Sequence, residues 1–294
     1  SNFFDERTRF MVTTDGTPLG NLALNVFAGQ ENGPPMIFVH GVLRCWQDFR
    51  PLFPYFGYDW QCLAIDQRGH GQSEHAEGHY RVVDYVGDIA QFVDNQFDEP
   101  VILYGHSLGG MVVAGVAAEL GEKVSGIVME DPPFETMGKR LKQTPLYSYF
   151  HGIRDVVVKY SEPEEIAPAL ANLIITDPQT GATQRAGDTR DEAAILFAAK
   201  CLAKIDPQVL DPIVDGTWLE GYDFLSVTSN IDCPALLLQG DPAFGGMLLD
   251  ADVQAMKGLK PNLFHVMING GSHQLHWTKS QEVFSAVTAF LLTP

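Results

Sequence analysis

A serine in this sequence has the surroundings that a catalytic nucleophile needs. Ser107 is the middle residue of Gly-His-Ser-Leu-Gly at 105–109, directly after the apolar run 101–104 and directly before a helical pattern. Small residues on both sides permit a sharp strand-to-helix turn, which presents the hydroxyl above the edge of a sheet. At a helix N-terminus, developing negative charge is stabilised by the helix dipole. The motif therefore predicts a nucleophilic serine.

His273 is the predicted base for this nucleophile. A serine hydroxyl is a weak nucleophile until a base takes its proton, and His273 follows the last apolar run, 263–268. A loop after that run returns to the sheet edge that carries Ser107. His276 lies three residues further on. A metal pair would need additional ligands that the sequence does not reveal, so a base is favoured and no metal is expected.

Two backbone N–H groups are the predicted oxyanion donors, because a tetrahedral intermediate needs donors that are fixed in advance. One belongs to Leu108, the residue after the nucleophile. The other belongs to Val42, which follows His40 and Gly41 at the end of the apolar run 36–39. Glycine at position 41 lets the backbone turn back towards the serine.

An alternation of short apolar runs with helical patterns predicts the elements that position these residues. Such runs are typical of strands covered on both faces, and the alternation indicates an α/β fold: a mostly parallel sheet with helices on both faces. Helices are predicted at 82–97, after Ser107 to 120, and at 281–292. A turn at Asp15-Gly16 makes the first two runs an antiparallel hairpin. The predicted strands lie at 9–14, 22–28, 36–39, 62–65, 101–104, 126–129, 235–238 and 263–268.

The alternation stops after Pro132 and Pro133. Residues 134–230 show helical pieces without a convincing strand, and 177–188 is predicted to be a polar loop. A helix-rich insertion between two sheet strands is typical of a lid. We therefore predict a core domain formed by residues 1–133 and 231–294, and a helical cap, or lid, at 134–230.

Composition narrows the classes of partner. Nineteen basic and 37 acidic residues give a net charge of −18, which disfavours nucleic acid and anionic membrane surfaces as partners. The sequence shows neither a transmembrane segment nor a secretory signal, so a cytoplasmic location is expected. A small-molecule substrate is the expected partner, and a homodimer is compatible with the sequence. The four scattered cysteines, predicted to be free thiols, are Cys45, Cys62, Cys201 and Cys233.

Four motifs occur in the order typical of the α/β-hydrolase superfamily: Phe-Val-His-Gly at 38–41, Asp-Gln-Arg-Gly-His-Gly-Gln-Ser at 66–73, the Ser107 motif and Gly-Gly-Ser-His at 270–273. The sequence resembles this superfamily from end to end, and the insertion at 134–230 corresponds to its cap. The resemblance implies a largely parallel sheet and a Ser–acid–His triad, but it names no substrate. Relatives that displace halide or open epoxides use Asp as the nucleophile, so Ser107 disfavours those reactions.

The acid of the triad stays open between three carboxylates. The common place for it is three residues beyond a glycine after the penultimate strand; counted from Gly240, that place is Ala243, and Asp241 comes two residues early. The segment 240–244 instead resembles a loop of the haloalkane-dehalogenase and coelenterazine-luciferase relatives, in which the acid follows the strand after the nucleophile helix. An ungapped alignment puts Asp131 at that point, beside Glu130. Both strands end at one edge, so either location can reach the imidazole.

The predicted function is that of a cofactor-independent serine hydrolase, which cleaves an ester or lactone of a small or medium, partly apolar compound through an acyl-enzyme. Hydrolysis of an amide or a C–C bond on the same triad is an alternative. A small-molecule-sensing protein with an intact triad is another, and cofactor-free oxygenation through His273 is a third. The residues predicted to line the substrate pocket are Arg44, a partner for a substrate carboxylate, and Trp46, Phe134 and Trp277.

Overall fold

In the computed structural model, which describes residues 6–13 and 21–294, short apolar segments form the strands of a mostly parallel sheet. The strands over these residues are β1 (Glu6–Thr13), β2 (Asn21–Ala28), β3 (Pro35–Val39), β4 (Gln61–Ile65), β5 (Val101–His106), β6 (Val124–Glu130), β7 (Ile174–Thr176), β8 (Thr183–Arg185), β9 (Ala235–Gly240) and β10 (Phe264–Ile268). Eight of them form one sheet in the order β1-β2-β4-β3-β5-β6-β9-β10, and β7 and β8 form a separate pair.

Strand directions confirm the predicted fold class. The strands from β3 to β10 within the large sheet pair in parallel, whereas β1 pairs antiparallel with β2 and β2 antiparallel with β4. Each predicted strand of the large sheet overlaps an observed one, and the boundaries differ by at most two residues except at the start of β1, which lies three residues earlier than predicted. The predicted turn at Asp15-Gly16 falls outside the described residues.

Helices cover both faces of the sheet, as the fold class requires. Over the described residues they are α1 (Phe53–Phe56), α2 (Val82–Gln96), α3 (Leu108–Leu120), α4 (Leu146–Lys159), α5 (Pro163–Ala171), α6 (Ala186–Thr189), α7 (Glu192–Leu202), α8 (Asp211–Asp215), α9 (Phe224–Ser229), α10 (Asp250–Leu259), α11 (Leu275–Thr278) and α12 (Ser280–Leu291). No helix among these has both the length and the apolar character that crossing a bilayer requires.

Successive residues of each central strand enter different apolar cores. In β3, Ile37 and Val39 pack with α2 and α3 on one face, whereas Met36 and Phe38 pack with α1 and α12 on the other. All four side chains are fully buried. The uniformly apolar composition of the run follows from this burial on both faces.

The insertion between β6 and β9 is mainly helical, with α4 to α9, but it also contains the antiparallel hairpin of β7 and β8. The absence of a strand predicted there is therefore wrong. Both strands are three residues long and half-buried or exposed, so they lack the apolar alternation that marks a strand in sequence. The boundaries of a separate cap domain at 134–230 stay a prediction.

The insertion packs on the core through specific contacts. Cys201, near the end of α7, has its Sγ atom 3.3 Å from that of Cys45 in the loop after β3. The Asp206 N–H donates to the carbonyl oxygen of Gly69 at 2.8 Å, and the Tyr80 hydroxyl donates to the Asp206 carboxylate at 2.7 Å. All four cysteines are free thiols, as predicted.

Candidate active site

The parallel strands bring the predicted catalytic residues to one edge of the sheet. Ser107 directly follows β5, Asp131 directly follows β6, and His273 lies in the loop after β10. The carboxyl ends of parallel strands share an edge, where α/β proteins place their sites. The His106 Nε2 atom lies 2.9 Å from the carbonyl oxygen of His273. The loop of the predicted base is thus anchored beside the predicted nucleophile.

Ser107 occupies a strained turn that only its glycine neighbours permit. Its φ of 54° and ψ of −117° lie outside the regions that most L-residues adopt. A Cβ atom on Gly105 would lie 2.0 Å from the carbonyl oxygen of Gly109, and one on Gly109 would lie 1.9 Å from that of Val39. Both positions therefore require glycine. The turn holds a buried serine, 6% exposed, at the start of α3.

Asp131 is the carboxylate that contacts the predicted base. Its Oδ2 atom lies 2.5 Å from the Nδ1 atom of His273 and also accepts the N–H of Met247 at 2.8 Å. Its Oδ1 atom accepts the N–H of Gly240 at 2.9 Å. Asp131 is fully buried. Because these backbone partners are donors, the carboxylate acts as acceptor, so the hydrogen of its contact with His273 lies on Nδ1.

Asp241 and Glu130, the alternatives for the acid, are engaged elsewhere. The Asp241 carboxylate accepts the N–H groups of Ala243 at 3.0 Å and Gly270 at 2.9 Å. It therefore caps the turn after β9, as a carboxylate beside proline commonly does. The Glu130 carboxylate is hydrogen-bonded to Tyr104 and His276. Of the three carboxylates left open by the sequence, Asp131 is therefore the one that contacts His273, and its role as the acid of a triad stays a prediction.

Two buried histidines hold the loop that carries Val42. The His70 Nε2 atom accepts the N–H of Leu43 at 3.0 Å, and the His40 Nε2 atom accepts the N–H of Gln67 at 2.9 Å. Burial lowers the pKa of His40 to about 4 and that of His70 to about 3, so both rings are neutral near pH 7. Neutral rings can accept these hydrogen bonds, and protonated rings cannot.

Gly41 lies directly against the strand-to-helix turn that holds Ser107. A Cβ atom at this position would lie 3.3 Å from the Ser107 Cβ atom and 3.0 Å from the His106 Nδ1 atom. Leu43, two residues on, has a left-handed φ of 71°, so the chain turns sharply next to the serine. Leu108 is the first residue of α3, and an N–H there has no acceptor within the helix. Donation to an oxyanion by Val42 and Leu108 stays a prediction.

A buried network of charged side chains lies behind these loops, and the sequence did not reveal it. The His276 Nδ1 atom lies 2.6 Å from Glu130 Oε2, and its Nε2 atom lies 2.9 Å from Asp48 Oδ2. The Tyr104 hydroxyl donates to Glu130 Oε1 at 2.5 Å. His276, Glu130 and Asp48 are fully buried. Glu130 and His276 lie next to or near predicted site residues in the sequence, but no sequence pattern pairs them with each other or with Asp48.

The charge state of His276 follows from its partners. Burial alone would lower its pKa, but the carboxylates of Glu130 and Asp48 outweigh burial and raise the pKa to about 9. Burial tends to raise the pKa of Asp48, but Arg44 and His276 hold it well below its usual value. Asp48, His106 and His276 offer nitrogen and oxygen atoms within 4.8 Å of one another. Both ring nitrogens of His276 are already hydrogen-bonded to carboxylates, so the cluster is accounted for as a hydrogen-bond network.

Two of the residues predicted to line the substrate pocket, Arg44 and Trp277, are both hydrogen-bonded to Asp48. Arg44 donates to Asp48 through two nitrogens, at 2.6 and 3.1 Å, and to Gln274 at 3.3 Å, so its charge is already paired. Trp277 is 45% exposed, and its indole N–H donates to Asp48 at 2.7 Å.

Two other predicted pocket residues are buried in the cores. Trp46 is 5% exposed and stacks on Phe27 with ring centroids 4.1 Å apart. Phe134 is 1% exposed and stacks on Phe224 at 4.8 Å. Both aromatics pack against other core rings, and a role of either in lining a substrate pocket stays a prediction.

An open groove of about 520 Å³ lies in the insertion, between segments 135–139 and 216–225. Tyr222 and Phe224 are among its lining residues, but Ser107, Asp131 and His273 are not. The groove is therefore separate from the triad.

Comparison with known proteins agrees with this architecture. A family model described as "alpha/beta hydrolase fold" matches residues 34–280, which include all strands from β3 to β10 as well as Ser107, Asp131 and His273. A solved structure, that of an E-2-(acetamidomethylene)succinate hydrolase, superimposes with a TM-score of 0.71 and 21% identity over 98% of this chain and 100% of that one.

Two curated relatives are similar in sequence. The 2-(acetamidomethylene)succinate hydrolase of Mesorhizobium japonicum is 36% identical over 120 residues, which cover 40% of this chain and 43% of the relative. The chain thus matches less than half the length of that protein. The (E)-2-((N-methylformamido)methylene)succinate hydrolase of Acinetobacter baylyi is 23% identical over 279 residues, 90% of this chain and 92% of the relative.

Proposed function

Because the chain belongs to the α/β-hydrolase fold family, we propose that it is a serine hydrolase. In this proposal it cleaves a carboxylic ester or lactone of a small or medium, partly apolar compound through an acyl-enzyme. The observation that carries the proposal is the 2.5 Å contact between His273 Nδ1 and the buried carboxylate of Asp131, beside the strained turn of Ser107. That contact fixes the tautomer in which Nε2 can accept a proton.

Acylation uses the three side chains in turn. His273 Nε2 takes the proton of the Ser107 hydroxyl as Oγ attacks the carbonyl carbon, and Asp131 holds the resulting imidazolium. The carbonyl oxygen becomes an oxyanion, which accepts hydrogen bonds from the N–H groups of Val42 and Leu108. The imidazolium then gives its proton to the leaving alkoxide. The products of this half-reaction are an alcohol and an acyl-Ser107 ester.

Deacylation repeats the sequence with water. His273 takes a proton from water as its oxygen attacks the acyl carbon, and the same two N–H groups hold the second oxyanion. The proton returns to Ser107 Oγ as the acid leaves, so the enzyme is regenerated. No step needs a cofactor, because every proton lost by one group is taken up by another.

Amide hydrolysis of an acidic substrate is the second candidate function. It is favoured by the names of the two curated relatives, which are hydrolases of substituted methylenesuccinates that carry an amide group. Arg44 reaches Gln274, the neighbour of His273, but its guanidinium is paired with Asp48. A substrate carboxylate would therefore compete with a buried carboxylate for that cation. For this reason a neutral ester or lactone is the leading class.

A turnover assay with a matched control tests the proposal. Wild type is expected to hydrolyse 4-nitrophenyl acetate without added metal, and Ser107→Ala is expected to lose at least about 1,000-fold in kcat, because it removes the nucleophile. Ser226→Ala, on the exposed surface of α9, is the control and keeps wild-type kcat. Circular dichroism checks that both variants fold.

Other outcomes decide between functions. Wild-type activity in Ser107→Ala contradicts the proposal and points to chemistry through His273 alone. Stoichiometric acylation of Ser107 without turnover favours a sensing protein. Faster cleavage of an acidic enamide than of neutral esters favours the second candidate.

A further inference from the structure

Each residue of the proposed triad has a buried polar neighbour close in the chain, and these neighbours contact one another. His106 precedes Ser107, Glu130 precedes Asp131, and His276 lies three residues after His273. The His106 and His276 rings have their centroids 4.6 Å apart. Glu130 Oε2 is 2.6 Å from His276 Nδ1 and 3.7 Å from His106 Nε2. The loops that carry Ser107, Asp131 and His273 are therefore also in contact with one another through these buried neighbours.

The loop of the predicted oxyanion donor joins the same cluster. Asp48 belongs to a short 3-10 turn after that loop, and its Oδ2 atom is 2.9 Å from His276 Nε2. Its other oxygen accepts from Arg44 at 2.6 Å and from the Trp277 indole at 2.7 Å. His276 is thus the residue at which all four loops of the site meet.

His276 must be an imidazolium to make both contacts, because a neutral ring donates only once while a carboxylate only accepts. The groups that face its ring are Glu130, Asp48, His106 and the ring of Phe49. With Arg44 on Asp48, the cluster contains two cations and two anions and is electrically balanced. A balanced cluster tolerates burial, whereas the loss of one member leaves a buried charge without a partner.

We infer that His276, clamped between Glu130 and Asp48, is a positioning residue that sets the loop of His273 against those of Asp131 and Val42. The inference rests on the proposed function, because it assigns the cluster to the proposed triad. The geometric reason is the proximity of these residues along the chain. Glu130 and Asp131 are consecutive residues, and the short helix that contains His276 follows directly after the loop that contains His273. A shift of the Glu130–His276 contact therefore moves both partners of the 2.5 Å contact between His273 and Asp131.

Substitutions that break and restore the charge balance test this role. His276→Gln and Glu130→Gln each leave an unbalanced buried charge, whereas the double variant removes one cation and one anion and keeps an amide pair at the contact. Both single variants are expected to lose about 10- to 100-fold in kcat for 4-nitrophenyl acetate, with KM within about threefold, because misplaced groups slow the chemical step. The double variant is expected to regain at least about tenfold.

The matched control is His151→Gln, on the cap helix α4, where the ring is partly exposed and 3.8 Å from Asp155. It keeps wild-type kcat. Urea unfolding measures the stability of each variant. The amount of Ser107 labelled by a fluorophosphonate counts the folded sites, and kcat is expressed per labelled site. A purely structural role would lower the urea midpoint of the single variants but leave kcat per labelled site unchanged, and that result overturns the inference.

A second readout does not depend on turnover. The proton between His273 and Asp131 is followed by ¹H NMR as a far-downfield signal, assigned by its loss in Asp131→Asn. The signal is expected to move in His276→Gln and Glu130→Gln and to return in the double variant. An unchanged signal in both single variants contradicts the inference. Absence of ester cleavage in wild type, with the NMR response present, contradicts the proposed function alone.

If both single variants fail to fold, Tyr104→Phe provides the test. It removes only the hydroxyl that donates to Glu130 Oε1 at 2.5 Å. A loss of about threefold in kcat, with a shifted NMR signal, supports positioning through Glu130. Wild-type kcat and an unmoved signal in Tyr104→Phe overturn it.

Discussion

Neighbouring carboxylates in this site have different tasks because their surroundings differ. Asp131 accepts two backbone N–H groups at 2.8 and 2.9 Å in addition to the imidazole, so it is fixed at the point where it meets His273. Asp131 also has a left-handed φ of 45°, unusual for a residue other than glycine. Glu130, the last residue of β6, is hydrogen-bonded to Tyr104 and His276 instead. Adjacent acids thus reach different histidines.

A pair of amide substitutions tests which aspartate orients the base. Asp131→Asn is expected to lose about 10⁴-fold in kcat, because an amide in place of the carboxylate favours the wrong imidazole tautomer. Asp241→Asn is expected to stay within about threefold, since that side chain caps a turn. Steady-state kinetics with 4-nitrophenyl acetate measure both variants. A larger loss in Asp241→Asn than in Asp131→Asn would refute the assignment.

At the scale of elements, the strands and main helices could be predicted from sequence because each carries a repeated local signal. The run at 101–104 is apolar on both faces and became β5, and the 3.6-residue pattern at 82–97 became α2. The hairpin of β7 and β8 could not be predicted, since three half-exposed residues carry no pattern. The polar loop predicted at 177–188 is correct only for 177–182, because β8 and α6 occupy the rest of that segment.

The candidate site could be predicted in part for the same reason. Ser107 and His273 lie in compact motifs whose glycines have a steric purpose, as the 1.9 Å approach at Gly109 illustrates. The choice between Asp131 and Asp241 needed the fold, because both follow parallel strands that end at one edge. The contact between His276 and Asp48 joins residues 228 positions apart. Only the folded chain brings residues so far apart in the sequence into contact.

At the scale of the whole molecule, buried histidines make stability depend on pH in both directions. His40, His70 and His106 have pKa values lowered by burial to about 4, 3 and 3, against 6.5 for the free side chain. Below about pH 6.5 the unfolded chain binds protons that the folded protein does not, so their contribution to stability is lost as the pH falls towards these values. His276, with a pKa raised to about 9, behaves in the opposite way.

Stability is therefore expected to be highest near pH 6.5 to 7 and to fall on both sides. Between pH 7 and 9.5 the imidazolium of His276, with its pKa raised to about 9, loses its proton while Asp48 and Glu130 stay charged. This loss costs about 2 kcal/mol and lowers Tm by about 4 °C. Thermal unfolding followed across pH 4–10 measures this. The double variant His276→Gln with Glu130→Gln should decline less steeply above pH 7. A wild-type Tm that is flat or rises from pH 7 to 9.5 would be inconsistent with a buried imidazolium.

The acyl-enzyme on Ser107 is the central claim, and mass spectrometry tests it most directly. Enzyme quenched with acid during turnover of 4-nitrophenyl acetate, then digested and mapped, is expected to carry one acetyl group on the peptide that contains Ser107. Asp131→Asn should carry less of it at the same time point, since the base is misoriented. Acetyl on another residue, or turnover without any acetyl on Ser107, would contradict the account.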